Sequence, residues 1–169
     1  MLLKKFGQTP KKSHSRQRKN NFVKLRVIKC GKPAFKEVAS LVEVYPKRLQ
    51  SHFSDCRNDI VKKFEPSNSR SAKGKTLLIG LDESGEAWST QKLAEYMKKW
   101  LDDPSIDQVD FVIGDPYGLT AETKGSCFKL WSISNCTLPS DFAWLLTWEQ
   151  LFRASSILRG TSYHHGGSA

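Results

Sequence analysis

No apolar run in this chain approaches the ~20 residues that a membrane-spanning helix needs, so its 169 residues read as a soluble protein with no membrane partner. Paired metal ligands are also missing. The four cysteines, Cys30, Cys56, Cys127 and Cys136, are scattered without a CxxC spacing. That argues against a zinc site or any other metal, and against a disulfide framework. Free thiols in a reducing cytoplasm fit better. No Gly-Lys-Ser/Thr completes a Walker loop, and no GxGxxG opens a Rossmann unit. Acidic residues are absent from the first 36 positions, which carry 12 Lys or Arg, while the remainder holds 15 basic residues against 17 acidic. The net charge of +10 therefore sits on a basic arm attached to a near-neutral body. Such an arm suits nucleic-acid phosphate. A solubilising tail stays open as an alternative. So does an organelle transit peptide, which an acid-free, Arg- and Ser-containing start permits but no amphipathic stripe supports.

What is present points to one α/β domain. Residues 1–21 read as a disordered basic arm and residues 22–169 as a single domain, with five Trp and nine Phe to fill a core. Partial alternation predicts a strand over Phe22 to Cys30. A helix follows over Phe35 to Phe53, with Phe35, Val38, Leu41, Val42 and Tyr45 on one face and Pro46 as a break or kink. Cys56 to Phe64 reads as strand or helix, and Pro66 to Lys75 as a polar, basic loop. A buried strand spans Thr76 to Leu81. Ser89-Thr90 then caps a helix to about Leu101, with Leu93, Tyr96, Met97 and Trp100 facing inward. Gln108 to Ile113 is a strand, Thr120 to Gly125 a short helix, Phe128 to Ile133 a strand, and Asp141 to Leu158 a long helix. The alternation indicates a mostly parallel sheet.

Three strand-then-loop units stand out. In Val109-Asp110-Phe111-Val112-Ile113-Gly114-Asp115-Pro116-Tyr117-Gly118-Leu119, a β-branched run stops at a Gly-x-Pro-x-Gly turn. Gly114 and Gly118 permit positive φ or a close backbone approach, and Pro116 stiffens the turn. Leu77 to Gly85 repeats the pattern, and Ser134 to Pro139 offers a third loop. Open α/β sheets bind ligands beyond the carboxyl ends of their strands. Spacing alone is equally compatible with plain structural turns.

Five segments in order look like one family. They are Leu81-Asp82-Glu83-Ser84-Gly85-Glu86-Ala87-Trp88-Ser89-Thr90, Phe111 to Leu119, Ser134-Asn135-Cys136-Thr137-Leu138-Pro139, Glu149-Gln150-Leu151-Phe152-Arg153-Ala154 and Tyr163-His164. They resemble the RlmH-type branch of the SPOUT RNA methyltransferases over about Lys24 to His164, most strongly from Leu77 onward. The resemblance implies an α/β domain with a C-terminal deep trefoil knot. It implies S-adenosyl-L-methionine as methyl donor and N-3 of a pseudouridine in large-subunit ribosomal RNA as the acceptor. By matching position, Leu81, Gly114, Asp115, Gly118, Ser134, Asn135, Cys136, Thr137, Leu138 and Pro139 would hold the donor. His164, Tyr163 and Arg153 would serve catalysis, His164 as the base. A salt bridge from Arg153 to Glu149 at i,i+4 is the plainer reading of that arginine. A homodimer is implied, with the long helix supplying much of the interface and Trp144 and Trp148 set on different faces of it. The cytoplasm is the expected compartment, or an organelle if residues 1–21 are a transit peptide.

The chain departs from the family pattern at three positions. Asp115 stands where a second glycine is usual, Ser140 where histidine is usual, and Trp144 where arginine is usual. The stretch from Phe53 to Lys75 is also short. These changes keep a second function class open, a lapsed relative that binds RNA without methylating it.

Overall fold

The computed structural model describes residues 23–69, 71 and 73–161. The basic arm and the Tyr163-His164 pair lie outside the described residues. The chain forms β1 (Lys24–Cys30), α1 (Lys36–Val42), α2 (Tyr45–Leu49), β2 (Asp55–Val61), β3 (Lys75–Ala87), α3 (Thr90–Asp102), β4 (Ile106–Ile113), α4 (Ala121–Ser126), β5 (Lys129–Ser132) and α5 (Ser140–Arg159). A 3-10 turn spans Pro66–Asn68. The five strands make one sheet in the order β2-β1-β4-β3-β5. Every ladder is parallel, so each connection must cross over the sheet.

Period-two alternation divides the strands into two faces. Leu25, Val27, Leu77, Ile79, Val109 and Phe111 enter the main core, where Val38, Val42, Leu49, Leu93, Met97, Trp100, Trp144, Trp148 and Leu151 of α1, α2, α3 and α5 cover them. The opposite face carries a smaller cluster of Ile28, Cys30, Phe64, Leu78, Val112 and Leu119. Beside it lies a polar network. Asp110, fully buried on β4, accepts from Arg26 Nη2 at 2.5 Å, from Ser69 Oγ at 2.5 Å and from Gln108 Nε2 at 2.9 Å. Those donors satisfy a carboxylate that would otherwise be costly to bury, and they tie the 66–71 loop to the sheet.

Local signals explain the helix boundaries. The Ser89 hydroxyl accepts from the amide of Lys92, and the Thr120 hydroxyl from that of Thr123, as N-caps do. Gly160 closes α5 with a φ of 65°, the left-handed geometry glycine accepts readily.

Several expectations need correction. The helix expected over Phe35 to Phe53 ends at Leu49 and is divided into two short helices next to Pro46, the expected break, which sits in the first turn of α2 where its missing N–H costs nothing. Val38 and Val42 are buried, but Phe35 and Leu41 are 45% and 54% exposed. The open choice at Cys56 to Phe64 resolves as strand β2. Strand β3 does not stop at Leu81. Both Leu81 and Glu86 face Trp131 of β5, so residues 82–85 leave the ladder as a wide bulge and the strand resumes.

Trp144 and Trp148 do not lie on different faces of α5. They are one helical turn apart, at i,i+4, and therefore share a face. Both are fully buried. Both indole N–H groups donate to Oδ1 of Asn58, at 2.7 and 3.2 Å. The apolar surface argument for a dimer through these tryptophans falls with that observation.

Candidate functional site

A cleft of about 680 Å³ opens at the bulge of β3 and the carboxyl ends of β4 and β5, within the volume range of small-molecule sites. Its walls come from the three segments singled out in the sequence: Leu81 to Glu83, Ile113 to Gly118, and Trp131 to Ser134 continuing through Cys136 to Pro139. Ala34 and Phe35 from the β1–α1 connection and Ser140, Asp141 and Ala143 from the start of α5 close the remaining side.

The turn after β4 is rigid. The carboxylate Oδ1 of Asp115 accepts from the amide of Tyr117 at 2.8 Å, and its backbone carbonyl accepts from the amide of Gly118 at 2.9 Å. Gly118 takes a φ of 85°. Gly114 has a different reason to be glycine. A methyl there would stand 2.3 Å from the carbonyl carbon of Gly118, well inside contact distance, so only glycine lets the turn fold back on itself. Asp115 needs no left-handed backbone, because no non-glycine among the described residues has positive φ. Its side chain supplies an Asx bond instead.

Close packing also shapes the other two loops. A methyl at Gly85 would meet the Leu130 carbonyl carbon at 2.6 Å, so the β3 bulge lies directly on β5. The Thr137 hydroxyl donates to Glu83 at 3.2 Å and joins the first loop to the third. Within the third, Ser132 Oγ donates to the Ser134 carbonyl and Cys136 N donates to Ser134 Oγ, both at 2.9 Å. Buried Trp131 stacks on Trp88 with ring centroids 5.3 Å apart.

The cleft is acidic. Asp82, Glu83, Asp115 and Asp141 line it against a single lysine, Lys124. Lys124 pairs with Asp82 at 2.6 Å. Burial pushes the Asp82 carboxyl up, but hydrogen bonds from Lys124 and Ser84 outweigh it and hold the group below the ordinary carboxylate range. Asp141 pairs with buried Lys29 at 3.1 Å. Apolar walls with a surplus of carboxylates suit a ligand that is partly apolar and carries a positive centre.

Of the ten residues expected to hold a donor, nine line the cleft: Leu81, Gly114, Asp115, Gly118, Ser134, Cys136, Thr137, Leu138 and Pro139. Asn135 is exposed and does not line it. Arg153 is not brought to the cleft either. It lies 12 residues beyond Asp141, about 18 Å along the helix at a 1.5 Å rise, and binds Glu149 at 2.5 Å, as the plainer reading held. Trp144 is buried against Asn58 rather than turned toward the opening, whereas Ser140 lines the wall. The Lys29–Asp141 pair escaped the sequence because its members lie 112 positions apart with no local signature. All four cysteines are free. Burial pushes the Cys56 thiol up to about 12 and the Cys127 thiol up to about 11, so both stay protonated. Among the described residues no cluster could hold a metal ion, and no helix is long and apolar enough to cross a membrane.

Comparison with known proteins places this architecture. Residues 23–164 match the family described as "Predicted SPOUT methyltransferase". The chain is 34% identical over 150 residues to the ribosomal RNA large subunit methyltransferase H of Deinococcus radiodurans, across 85% of this chain and 100% of that protein. It is 42% identical over 93 residues to the protein of the same name from Maridesulfovibrio salexigens, across 55% of this chain and 59% of that one. A putative methylase family protein from Neisseria gonorrhoeae superposes with a TM-score of 0.52 at 12% identity, covering 88% of this chain and 89% of that chain, a likeness of fold. The chain thus belongs to the SPOUT methyltransferase family, on the branch of the ribosomal RNA large subunit methyltransferase H proteins.

Proposed function

We propose that this protein transfers a methyl group from S-adenosyl-L-methionine to N-3 of a pseudouridine in large-subunit ribosomal RNA. The observation that carries this reading is the acidic, apolar-walled cleft built from three backbone loops at the ends of parallel strands. Leu81, Ile113 and Leu138 offer apolar surface for an adenosine, and Glu83 and Asp115 offer negative charge to a sulfonium. The sulfonium brings an already activated methyl group. The protein's own work is then to orient the acceptor, exclude water and remove the imide proton. Gly114 and Gly118 keep the turn compact enough for its backbone to line the donor pocket. We assign the base to His164, assisted by Tyr163.

Arg153 does not line the cleft of its own chain, which supports a homodimer in which one copy's arginine and C-terminal residues complete its partner's cleft. Phe35 and Phe142, both partly exposed and in edge contact at 5.7 Å, supply apolar surface beside the opening for such an interface. The passage from β5 at one sheet edge to α5 over β1 supports the C-terminal trefoil knot. Residues 1–21 form a basic arm that adds phosphate contacts to a domain spanning 22–169. An RNA substrate and four free thiols favour the cytoplasm. The lapsed alternative loses its footing. Asp115 serves the turn through its side chain, and Trp144 is a core residue that leaves the opening unchanged.

Calorimetric titration with S-adenosyl-L-methionine, followed by methyl transfer to ribosomal RNA from a strain lacking the protein, tests the proposal. A folded dimer that binds no donor, or an unchanged pseudouridine methylation state in the deletion strain, overturns it. Removing residues 1–21 is expected to weaken RNA binding and to flatten its salt dependence. An unchanged slope refutes the role of the arm.

A further inference from the structure

We propose that Tyr117 is a stacking platform for a base of the RNA substrate at the mouth of the cleft, an inference that rests on the methyltransferase reading above. Tyr117 is 97% exposed and still lines the cleft. Single exposed apolar residues are common, so exposure alone says little. What distinguishes this one is its mounting. Its own amide is held by the Asp115 carboxylate at 2.8 Å. The following residue, Gly118, is bonded to the Asp115 carbonyl and packed against Gly114. The backbone on both sides is thereby fixed, while the ring takes part in no ring–ring contact among the described residues. A large aromatic is held out on a braced turn, and among the described residues no ring packs on it.

The surroundings match a nucleic-acid ligand. The β1–α1 connection passes beside the turn, since a methyl at Gly31 would lie 3.9 Å from Cβ of Asp115. The next residue along that connection, Lys32, is exposed. An aromatic face and a cation on adjoining turns are the pair of groups that unpaired RNA uses, one for a base and one for a phosphate. The apolar inner walls are committed to the donor, so the acceptor must arrive past the rim that Tyr117 occupies. A tyrosine loses little conformational entropy on stacking, because only two side-chain torsions need fixing.

The test uses the full-length protein, with a ribosomal RNA fragment and S-adenosyl-L-methionine as probes. Tyr117→Ala is expected to raise the KM for RNA by roughly 5- to 150-fold, the range for loss of one base–aromatic stack. Its affinity for the donor should stay within about twofold by calorimetry, a margin well below one stacking loss. Tyr117→Phe should keep the wild-type KM, because stacking needs the ring and not the hydroxyl. Three results overturn the proposal: an unchanged KM for RNA in Tyr117→Ala, a donor affinity that falls in parallel with the KM, or a Phe variant as impaired as Ala. A wild-type protein that neither binds donor nor methylates RNA removes this proposal together with the function beneath it. An active wild type with an indifferent Tyr117→Ala removes this proposal alone.

Discussion

Replacing Lys29 by methionine should cost this fold more than almost any other single change. Lys29 on β1 and Asp141 at the start of α5 are 1% and 3% exposed, with 3.1 Å between Nζ and Oδ1. Lys29 also donates to the carbonyls of Cys30 and Gly31, both at 3.3 Å. The other oxygen of Asp141 accepts from the amides of Ala34 and Phe35 at 2.7 and 2.9 Å. The pair thus ties the first strand, the β1–α1 connection and the last helix together at the cleft wall. Removing one member of a buried pair costs about 3–5 kcal/mol, because the other charge is left without its partner. At about 2–4 °C per kcal/mol for a chain of this size, Lys29→Met should lower Tm by roughly 6–20 °C. The double variant Lys29→Met/Asp141→Asn should regain much of the loss, since the amide oxygen still accepts from Ala34 and Phe35 and no buried charge remains. Burial alone would raise the Asp141 carboxyl, but the Phe35 amide, the Lys29 ammonium and the Ala34 amide together pull it below its ordinary value. A lowered folded-state value means that the unfolded chain takes up protons first as pH falls. The pair's stabilisation is therefore complete above the unfolded carboxylate value of about 4 and is lost as pH drops through the lower folded one. Thermal unfolding followed by circular dichroism from pH 7 to pH 3 measures all of this. A Tm loss under about 2 °C at pH 7, less than 1 kcal/mol on the same scale, or strictly additive single and double variants, would refute the reasoning.

Gly114→Ala should abolish donor binding while the fold persists, because a methyl 2.3 Å from Gly118 forces the turn open at the surface and not in the core. Calorimetry paired with circular dichroism separates the two effects, and wild-type donor affinity in this variant would contradict the packing argument. Asn58→Ala should destabilise the protein by about 2–6 kcal/mol, since it strands two buried indole donors at about 1–3 kcal/mol each. Urea unfolding reads this as a lower midpoint with an unchanged slope, and a midpoint equal to wild type would mean that both indoles find other acceptors.

The parts of this molecule legible from sequence are those governed by near neighbours. Ser89 and Thr120 announce their helices by standing three residues before the amides they cap. The run Val109 to Ile113 followed by Gly-x-Pro-x-Gly announces a buried strand and its turn, because alternation and glycine placement are local properties. The donor-loop residues came through the resemblance, and nine of ten line the cleft. What failed depended on distant partners. Periodicity alone did not separate α1 from α2, because Phe35 and Leu41 continue an apolar pattern although both stay about half exposed. The tryptophans of α5 are the exception, because their i,i+4 spacing already sets both on one face, and only their shared acceptor Asn58, on the edge strand 86 positions before Trp144, is non-local. Arg153 is a separate case, since it sits about 18 Å down its own helix from Asp141 and its expected role rests on the proposed second copy.

The three departures from the family pattern acquire a common logic once charge is followed through the cleft. Two of its four carboxylates are neutralised by lysines, Asp82 by Lys124 and Asp141 by Lys29. Glu83 and Asp115 form no salt bridge among the described residues. Glu83 accepts from Thr137, and Asp115 from its own turn. Each is therefore anchored by a neutral donor that leaves its charge in place. Losing a histidine at 140 and an arginine at 144 would weaken the opening's hold on phosphate if nothing replaced them. Trp144, however, is spent on the core with Trp148 and Asn58, so that position no longer faces the ligand at all. Position 144 therefore adds no cation to the cleft, whose one lining lysine, Lys124, is paired with Asp82, and the carboxylate of Asp115 adds to the same negative field. Recognition of RNA phosphate then falls to groups outside the pocket, of which exposed Lys32 on the adjoining connection is the nearest in chain order to the turn's packing partner, Gly31. On the proposed function, the donor would meet the carboxylates of Glu83 and Asp115, and the RNA would meet Tyr117 and Lys32 at the mouth of the cleft.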